Sequence, residues 1–176
     1  MIIMAIRPGR CYRDHERPNT RISQTKPSKS FVKGAPRHVI SEFEVGEKGD
    51  YDHKLFLIAK RNVQVRHNAI EAARVMCVQT LERELGKDAK FFARVRIYPH
   101  HILRENALAT GAGADRFQQG MKASFGSPKS RAAQVDAGQI MFEVHVNKNT
   151  PIAKKALKKA SYKLPTPCRI DIESKE

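Results

Sequence analysis

Tryptophan is absent from this sequence, and cysteine and acidic residues are scarce. The three cysteines (Cys11, Cys77 and Cys168) form an odd set without a Cys-x-x-Cys pair. That set argues against a disulfide framework and a structural zinc site, and it favours a reducing environment. No apolar run approaches the roughly 18 residues that a transmembrane helix needs, so we expect no membrane-spanning segment.

The shortage of acidic residues leaves a large positive charge. The 176 residues contain 33 Lys and Arg against 18 Asp and Glu, a net charge of +15. Such an excess favours a polyanionic partner, nucleic acid before an anionic membrane. The length corresponds to one domain at roughly 100–200 residues per domain.

The charge is concentrated at the N-terminus, where residues 1–37 hold nine basic and two acidic residues, a net of +7. Four prolines interrupt this stretch, and it follows neither hydrophobic period, so it cannot bury much surface by itself. We predict that residues 1–36 are an extended basic arm that becomes ordered on a partner; a solubilising disordered tail is the alternative. Its candidate RNA-binding residues are Arg7, Arg10, Arg13, Arg17, Arg21, Lys26, Lys29 and Lys33.

Two helices are predicted in the rest of the chain. Ile70, Ala73, Cys77, Leu81 and Leu85 recur at helical spacing, which also makes Cys77 a core residue rather than a nucleophile. Asn68 and Glu71 have the spacing of a capping box, and Gly86 suits the end of the helix. A second helix is predicted from Thr150 as N-cap and Pro151 as first residue. Its lysines, which suit a solvated face and phosphate contact equally well, are Lys154, Lys155, Lys158 and Lys159.

Alternating or short apolar runs predict strands at 38–45, 54–59, 63–65, 92–98, 139–146 and 168–172. In the fifth of these, His145 falls on the face opposite Phe142 and Val144, and we expect it to be solvated. Residues 100–118 show no clean periodicity, and 120–135 are rich in Gly, Ser, Lys and Arg. The order of elements predicts one α+β domain over 37–176, with two helices packed on a mostly antiparallel sheet.

No chemistry-bearing motif fits a catalytic site well. The glycines of Thr110–Arg116 lack the Lys-Ser/Thr of a phosphate-binding loop and the preceding strand of a dinucleotide fold. His100 and His101 with Asp115 or Glu105 are conceivable acid–base or metal groups, but neighbouring side chains on an extended segment point to opposite sides. We therefore predict no catalytic residue, no metal and no cofactor. An RNA-modifying or RNA-cleaving enzyme remains one alternative, a chromatin-like DNA-binding protein a second, and a membrane-surface role the least favoured.

Binding of structured RNA is the function that the composition favours. Arg94 and Arg96 share one face of a predicted strand and could reach phosphates. Tyr12 and Phe125 could stack on bases. Further basic residues in the predicted loops are Arg104, Arg116, Lys122, Lys129 and Arg131.

Long motifs in the chain resemble one family. Ala112-Gly-Ala-Asp-Arg-Phe-Gln-Gln-Gly-Met121 and Val135-Asp-Ala-Gly-Gln-Ile140 resemble the archaeal and eukaryotic L-ten-e ribosomal proteins, counterparts of bacterial L-sixteen. Arg7–Arg13, Glu71–Arg74 and Ala160–Pro165 fit in the same order, and the brief C-terminal end suits the archaeal form. The resemblance therefore covers nearly the whole chain.

The resemblance implies a hammerhead-like α+β domain and a structural, non-enzymatic role in the large ribosomal subunit, in the cytoplasm. It implies binding to large-subunit rRNA near the base of the central protuberance, beside neighbouring ribosomal proteins and without a membrane. A second loop, Met121–Arg131, would lie on rRNA. A mobile loop at 102–115 would reach toward tRNA and the peptidyl-transferase centre. The tRNA-proximal residues are Arg104, Glu105, Asn106, Gly111, Gly113, Asp115 and Arg116.

Overall fold

The computed structural model describes residues 7–15, 34–86, 90–106, 111–113, 116, 118, 120–123 and 126–174. Within these ranges, the two helices are α1 (His67–Leu85) and α2 (Thr150–Ser161). Short 3₁₀ turns lie at Gly9–Tyr12 and Gly120–Ala123. The strands are β1 (Glu44–Gly46), β2 (His53–Ala59), β3 (Val63–Arg66), β4 (Phe91–Val95), β5 (His101–Glu105), β6 (Ser127–Val135), β7 (Ile140–Val146) and β8 (Cys168–Ser174).

The strands form two antiparallel sheets. The larger sheet has the order β1-β4-β7-β2-β8, and the smaller has the order β3-β6-β5. All of the pairings within them are antiparallel. The predicted α+β architecture is therefore confirmed, with the strands divided between two sheets.

One apolar core joins both sheets to both helices. Leu55, Leu57 and Val144 come from the larger sheet, and Val65 and Val135 come from the smaller one; all are almost completely buried. Helix α1 packs against α2 and against strands of both sheets. The face of the smaller sheet that carries Val63, Val65, Ala133 and Val135 thus covers the core. Its other face carries Gln64, Arg66 and His101 and is directed away from the core.

Helix α1 follows its predicted stripe. Ile70, Ala73, Cys77 and Leu81 are buried, and the helix ends at Gly86, whose amide donates to the Glu82 carbonyl. The predicted capping box is wrong. The helix continues directly from β3 with Arg66 as N-cap, and Arg66 makes no side-chain cap hydrogen bond. Asn68 lies inside the first turn, where its side-chain oxygen accepts from the Ala69 amide at 3.0 Å. The Glu71 carboxylate instead accepts from the Arg74 guanidinium at 2.7 and 2.9 Å.

The N-cap of helix α2 lies one residue earlier than predicted. The N-cap is Asn149, in a left-handed conformation (φ 68°), rather than Thr150. Pro151 lies in the first turn, where its missing amide hydrogen would have no partner in any case.

The strand predicted at 38–45 is mostly absent. Among the described strands, Glu44–Gly46 pairs with β4, and Val39 is 55% exposed. Ile40 is the buried residue of this stretch. The described strand begins at Glu44, and before it the Phe43 carbonyl accepts from the Val95 amide of β4 at 2.8 Å. The alternating pattern of this stretch therefore marks only the approach to a short strand. The strand predicted at 92–98 is likewise shorter and ends at Val95.

Two strands occur where no strand was expected. β5 occupies His101–Glu105, so the predicted loop at 102–115 can begin only after Glu105. β6 begins at Ser127 and includes Lys129 and Arg131, which were assigned to a loop. Their sequences carry only weak apolar patterns. β6 nevertheless forms a strand, because it is hydrogen-bonded to β3 on one side and to β5 on the other.

His145 is half-buried rather than solvated. Its ring lies 5.3 Å from the Phe92 ring and 6.1 Å from the Tyr51 ring, centroid to centroid. Burial lowers its pKa from the usual value. At His145, aromatic side chains from neighbouring segments therefore cover this face of β7.

Among the residues that the structure describes, neither helix is long and apolar enough to cross a bilayer.

Candidate nucleic-acid interface

The described N-terminal residues 7–15 lie against the outer edge of β3. The Gln64 amide donates to the Arg13 carbonyl at 2.8 Å, and the Gln64 side-chain amide donates to the Tyr12 carbonyl at 2.9 Å. The His15 imidazole Nε2 lies 2.8 Å from the Val63 carbonyl. These contacts satisfy backbone groups that a free edge strand would leave unpaired. The segment is thus fixed to the domain.

Arg66 and Arg7 connect the beginning of this segment to β3 and β5. Arg66 donates from Nη1 to the Arg7 carbonyl at 2.7 Å, and its guanidinium lies 6.0 Å from the Tyr12 ring centroid. The Arg7 side chain in turn donates from Nε to Glu105 Oε1 at 2.7 Å. The Glu105 carboxylate is mostly buried, so this ion pair connects the segment to the end of β5.

The segment also presents cations to solvent. Arg10 and Arg13 are exposed, and within the described part of the chain neither has an acidic partner. Lys129 on β6 and Arg116 are exposed as well. Arg131 is half-buried and donates from Nε to the Pro36 carbonyl at 2.6 Å. These exposed side chains can therefore offer cations to a polyanion.

Arg94 and Arg96 share one face of the larger sheet, as expected, but both contact the Glu143 carboxylate. The distances are 3.7 Å from Arg94 and 2.8 Å from Arg96. The Glu143 side chain is only 5% exposed, whereas the arginine side chains are 47% and 46% exposed. Arg94 also lies 3.3 Å from the carboxylate of Glu44 on β1. The two guanidiniums thus neutralise a buried carboxylate and still reach solvent.

The chain segment between β5 and β6, called the excursion below, starts and ends at backbone stretches that lie in close contact. We call this contact, between Gly126 and Glu105–Asn106, the base of the excursion. Gly126 has φ +71°, and a Cβ there would lie 2.3 Å from the Glu105 carbonyl carbon and 2.4 Å from the Asn106 nitrogen. Only glycine fits this close backbone approach. The base is held further by the pairing of Glu105 with Ser127. The residues beyond Asn106 therefore start from a fixed point.

Of the groups considered for catalysis, Asp115 lies outside the described residues, and the described histidines differ in their surroundings. His100 is exposed and packs on Tyr98 at a centroid distance of 4.4 Å, whereas His101 is half-buried in β5. Burial raises the pKa of the Cys77 thiol to about 12 and that of Cys168 to about 11, so neither thiol forms a reactive thiolate near neutral pH. In the described ranges, no group of three or more His, Cys, Asp or Glu side chains could hold a metal ion.

Comparison with known proteins identifies a family. The family model "Ribosomal protein L16p/L10e" matches residues 19–171. The large ribosomal subunit protein uL16 of Thermofilum pendens is 46% identical over 173 residues, covering 97% of this chain and 98% of that protein. The uL16 proteins of Staphylothermus marinus and Saccharolobus islandicus are each 44% identical, covering 95% and 96% of this chain and 93% of their own lengths.

The chain belongs to the ribosomal protein L16p/L10e family. The family resemblance of the motifs is thereby confirmed, and so is the expectation that the protein is a structural component and not an enzyme. The alternative of an RNA-modifying enzyme built on His100, His101 and Asp115 is excluded by the same finding.

The structure places some of the predicted L16p/L10e interface residues and not others. Glu105 belongs to β5 and pairs with Arg7, so part of the predicted tRNA-proximal loop is a fixed strand end. Gly111, Gly113 and Arg116 are exposed beyond it. Lys122 lies in the second 3₁₀ turn. Arg17, Arg21, Lys26, Lys29, Lys33, Asp115 and Phe125 lie outside the described residues.

Arg66 is the residue that the sequence analysis missed. It holds the N-terminal segment through the Arg7 carbonyl and the Tyr12 ring. Its sequence signal is that Gln64 and Arg66 alternate with the apolar Val63 and Val65 in β3. A polar face on a strand that is otherwise buried indicates that another part of the chain must cover it.

Proposed function

We propose that this L16p/L10e protein is a structural constituent of the large ribosomal subunit, in the cytoplasm, with large-subunit rRNA and neighbouring ribosomal proteins as its partners. It binds rRNA near the base of the central protuberance and supports tRNA placement next to the peptidyl-transferase centre. The observation that carries the proposal is the fixed N-terminal segment with exposed Arg10 and Arg13. Both arginines lack an acidic partner in the described part of the chain.

Fixing these arginines on a folded support favours RNA binding. A disordered basic tail must lose backbone entropy when it binds, at about 1–2 kcal/mol per residue. Residues 7–15 are already held by β3 and by the Arg7–Glu105 ion pair. Little of the free energy that Arg10 and Arg13 gain from phosphate contact is then lost to ordering of the backbone.

The rest of the basic arm extends this contact in our proposal. Residues 1–36 act as one rRNA-binding segment, with Arg17, Arg21, Lys26, Lys29 and Lys33 continuing from the fixed part. Lys122, Lys129 and Arg131 add contacts on the side of β6. Arg94 and Arg96 contribute with the half of each side chain that remains exposed beside Glu143.

The excursion after Glu105 is the tRNA-proximal element of this proposal. Arg104, Glu105 and Asn106 lie at its base, and Gly111, Gly113, Asp115 and Arg116 lie farther along the chain. The closed base at Gly126 supports this assignment, because a loop that reaches into another molecule needs a rigid origin. In this proposal the loop helps to position tRNA and takes no part in the chemistry of peptide transfer.

The assembly proposal is tested by sedimentation of a tagged full-length copy from lysate through sucrose gradients, at low salt and at about 0.5 M salt. Stoichiometric migration with the large subunit in both conditions is expected. Migration at the top of the gradient, or with DNA, would overturn the proposal. In direct competition, the purified protein should prefer large-subunit rRNA to duplex DNA.

The arginine contacts are tested by the double variant Arg10→Gln/Arg13→Gln. Each phosphate contact changes the slope of log affinity against log salt by about 0.7–0.9, so the variant should flatten it by about 1.4–1.8. The matched control is Lys90→Gln/Arg169→Gln, which removes two exposed cations already paired with Glu47 and Asp171. Equal changes for both variants would mean that only net charge matters and that the fixed segment is not the contact.

A further inference from the structure

Helix α2 has a basic surface that the contacts described so far do not use. Ala153, Ala156, Leu157 and Ala160 are buried against the core. The opposite side carries lysines, and the chain from residue 144 to residue 170 contains no Asp or Glu at all. The only carboxylate that the described residues bring to these lysines is Glu84 near the end of α1.

Glu84 divides the four lysines of α2 into two pairs. Lys155 Nζ lies 2.8 Å from Glu84 Oε1, and Lys159 Nζ lies 3.8 Å from the same atom. These contacts lower the Glu84 pKa, chiefly through the hydrogen bond from Lys155. Lys154 and Lys158 are exposed and have no ion pair within the part of the chain that is described. Lys155 and Lys159 thus join the two helices, and Lys154 and Lys158 remain available.

An exposed aromatic ring continues the line of the two available lysines. Lys154, Lys158 and Tyr162 are spaced four residues apart, which places them on one face of a helix. Tyr162 is the C-cap of α2, retains helical backbone angles and is 72% exposed. A large aromatic side chain so exposed, in line with two cations, is the arrangement in which an RNA base can stack while its phosphates contact lysine.

We infer that the face formed by Lys154, Lys158 and Tyr162 is a second rRNA-binding surface, with the lysines on backbone phosphates and Tyr162 stacked on an unpaired base. The inference rests on the proposed function and extends it to the larger sheet's side of the molecule, since the N-terminal segment lies on the smaller sheet. The negative end of the helix dipole stabilises the positive charge of Lys158 in the last turn of α2. Lys154 lies outside the last turn and gains no such stabilisation.

The chemistry of this face favours RNA over a protein or a membrane. Lysine is depleted in the buried centre of protein–protein interfaces, and this face offers no apolar cluster to form one. A membrane-surface helix needs a free apolar face, whereas the apolar face of α2 is already buried in the core. Large-subunit rRNA is therefore the occupant that we assign.

The first test compares two double variants of the full-length protein in rRNA binding at several salt concentrations. Lys154→Gln/Lys158→Gln should flatten the salt slope by about 1.4–1.8, the value for two phosphate contacts. Lys155→Gln/Lys159→Gln removes the same charge from the pair held by Glu84 and should leave the slope nearly unchanged. Equal slopes for the two variants, or a wild-type slope for the first, would overturn the inference.

Tyr162 separates stacking from charge in the same assay. Tyr162→Ala should weaken rRNA binding at least about five-fold, the lower limit for loss of one base stack. Tyr162→Phe keeps the ring and should bind like the wild type. If Tyr162→Ala also binds like the wild type, the stacking assignment is wrong.

The second test uses the assembled large subunit, with a photoreactive phenylalanine analogue at position 162. Crosslinking to large-subunit rRNA is expected. Crosslinking to a neighbouring protein, or no crosslink in subunits that contain the protein, would overturn the inference. The Arg10→Gln/Arg13→Gln variant, measured alongside, distinguishes failure of this surface from failure of the proposed function, because loss of rRNA affinity there does not depend on α2.

Discussion

At the scale of single residues, Glu143 determines how the basic face of the larger sheet is arranged. It stands on the central strand β7, directly opposite Arg94 of β4, and accepts from Arg96 two residues farther along. A carboxylate that is 5% exposed needs such partners, because an unpaired buried charge is strongly destabilising. The arginines have a structural role here, whatever RNA they also contact.

Removal of Arg96 should therefore cost more than removal of the charge on Glu143. Arg96→Gln is expected to lower the free energy of unfolding by about 1–3 kcal/mol, because the buried Glu143 carboxylate then keeps, among the described residues, only Arg94, at 3.7 Å, as a cationic partner. Glu143→Gln should cost at most about 1 kcal/mol, because it removes the buried charge and leaves two half-exposed guanidiniums that water can solvate. Urea unfolding of the purified variants measures both. A larger loss for Glu143→Gln than for Arg96→Gln would contradict this account.

At the scale of elements, the sequence identified those whose burial is periodic. The stripe of α1 and the apolar runs of β2 and β7 are such elements, and all three are present. β5 and β6 could not be predicted in this way, because their strand conformation comes from pairing with residues distant in sequence, such as Arg66 with Ala132. The capping box failed for a related reason: a residue distant in sequence, Ser41, and the nearby Arg74 engage Glu71.

The α1 stripe gives a stability prediction for the core. Leu81 is completely buried among residues of both sheets and α2. Leu81→Ala should lower the free energy of unfolding by about 2–5 kcal/mol through lost burial and an unfilled cavity. Glu82→Ala, at an exposed neighbouring position of the same helix, is the matched control. Comparable losses in the two variants under urea would show that the stripe does not face the core.

The base of the β5–β6 excursion gives a prediction about local order. Gly126→Ala would place a methyl group against the Glu105 and Asn106 backbone, which cannot yield as a flexible side chain can. We expect loss of hydrogen-exchange protection in β5 and in the first residues of β6. Gly113→Ala has a similar positive φ of 80° but meets nothing within 4 Å, so it should cost only the left-handed strain of about 1–2 kcal/mol. Unchanged protection in Gly126→Ala would disprove the close approach.

At the scale of the whole molecule, the charge of the N-terminal segment was readable from the sequence, but its position was not. The composition of residues 1–37 indicates a polyanionic partner. The contacts that fix residues 7–15 join positions 48 to 98 residues apart, such as His15 with Val63 and Arg7 with Glu105. No local pattern encodes these distances. Likewise, only the packing of α1 beside α2 reveals which lysines of α2 are held by Glu84.

The surplus of positive charge also affects the stability of the whole domain in mild acid. Burial lowers the pKa of His67, His101 and His145, and nearby cations such as Arg131, Arg104 and Lys54 act in the same direction. Only Glu143, beside His145, opposes this. The unfolded chain therefore binds protons more readily than the folded one, so the stabilising contribution is complete above about pH 6.5 and is lost as the pH falls.

We accordingly expect the thermal midpoint of the purified protein to fall between pH 7 and pH 5. Carboxylates such as Glu71 and Glu84 have lowered pKa values, so their contribution is lost only below about pH 4.5 and does not overlap this window. His67→Gln should make the decline shallower, because it removes a buried imidazole that must remain neutral. His100→Gln, at an exposed position, is the control. A midpoint that is constant or rises toward pH 5 would show that these buried imidazoles do not disfavour the charged form.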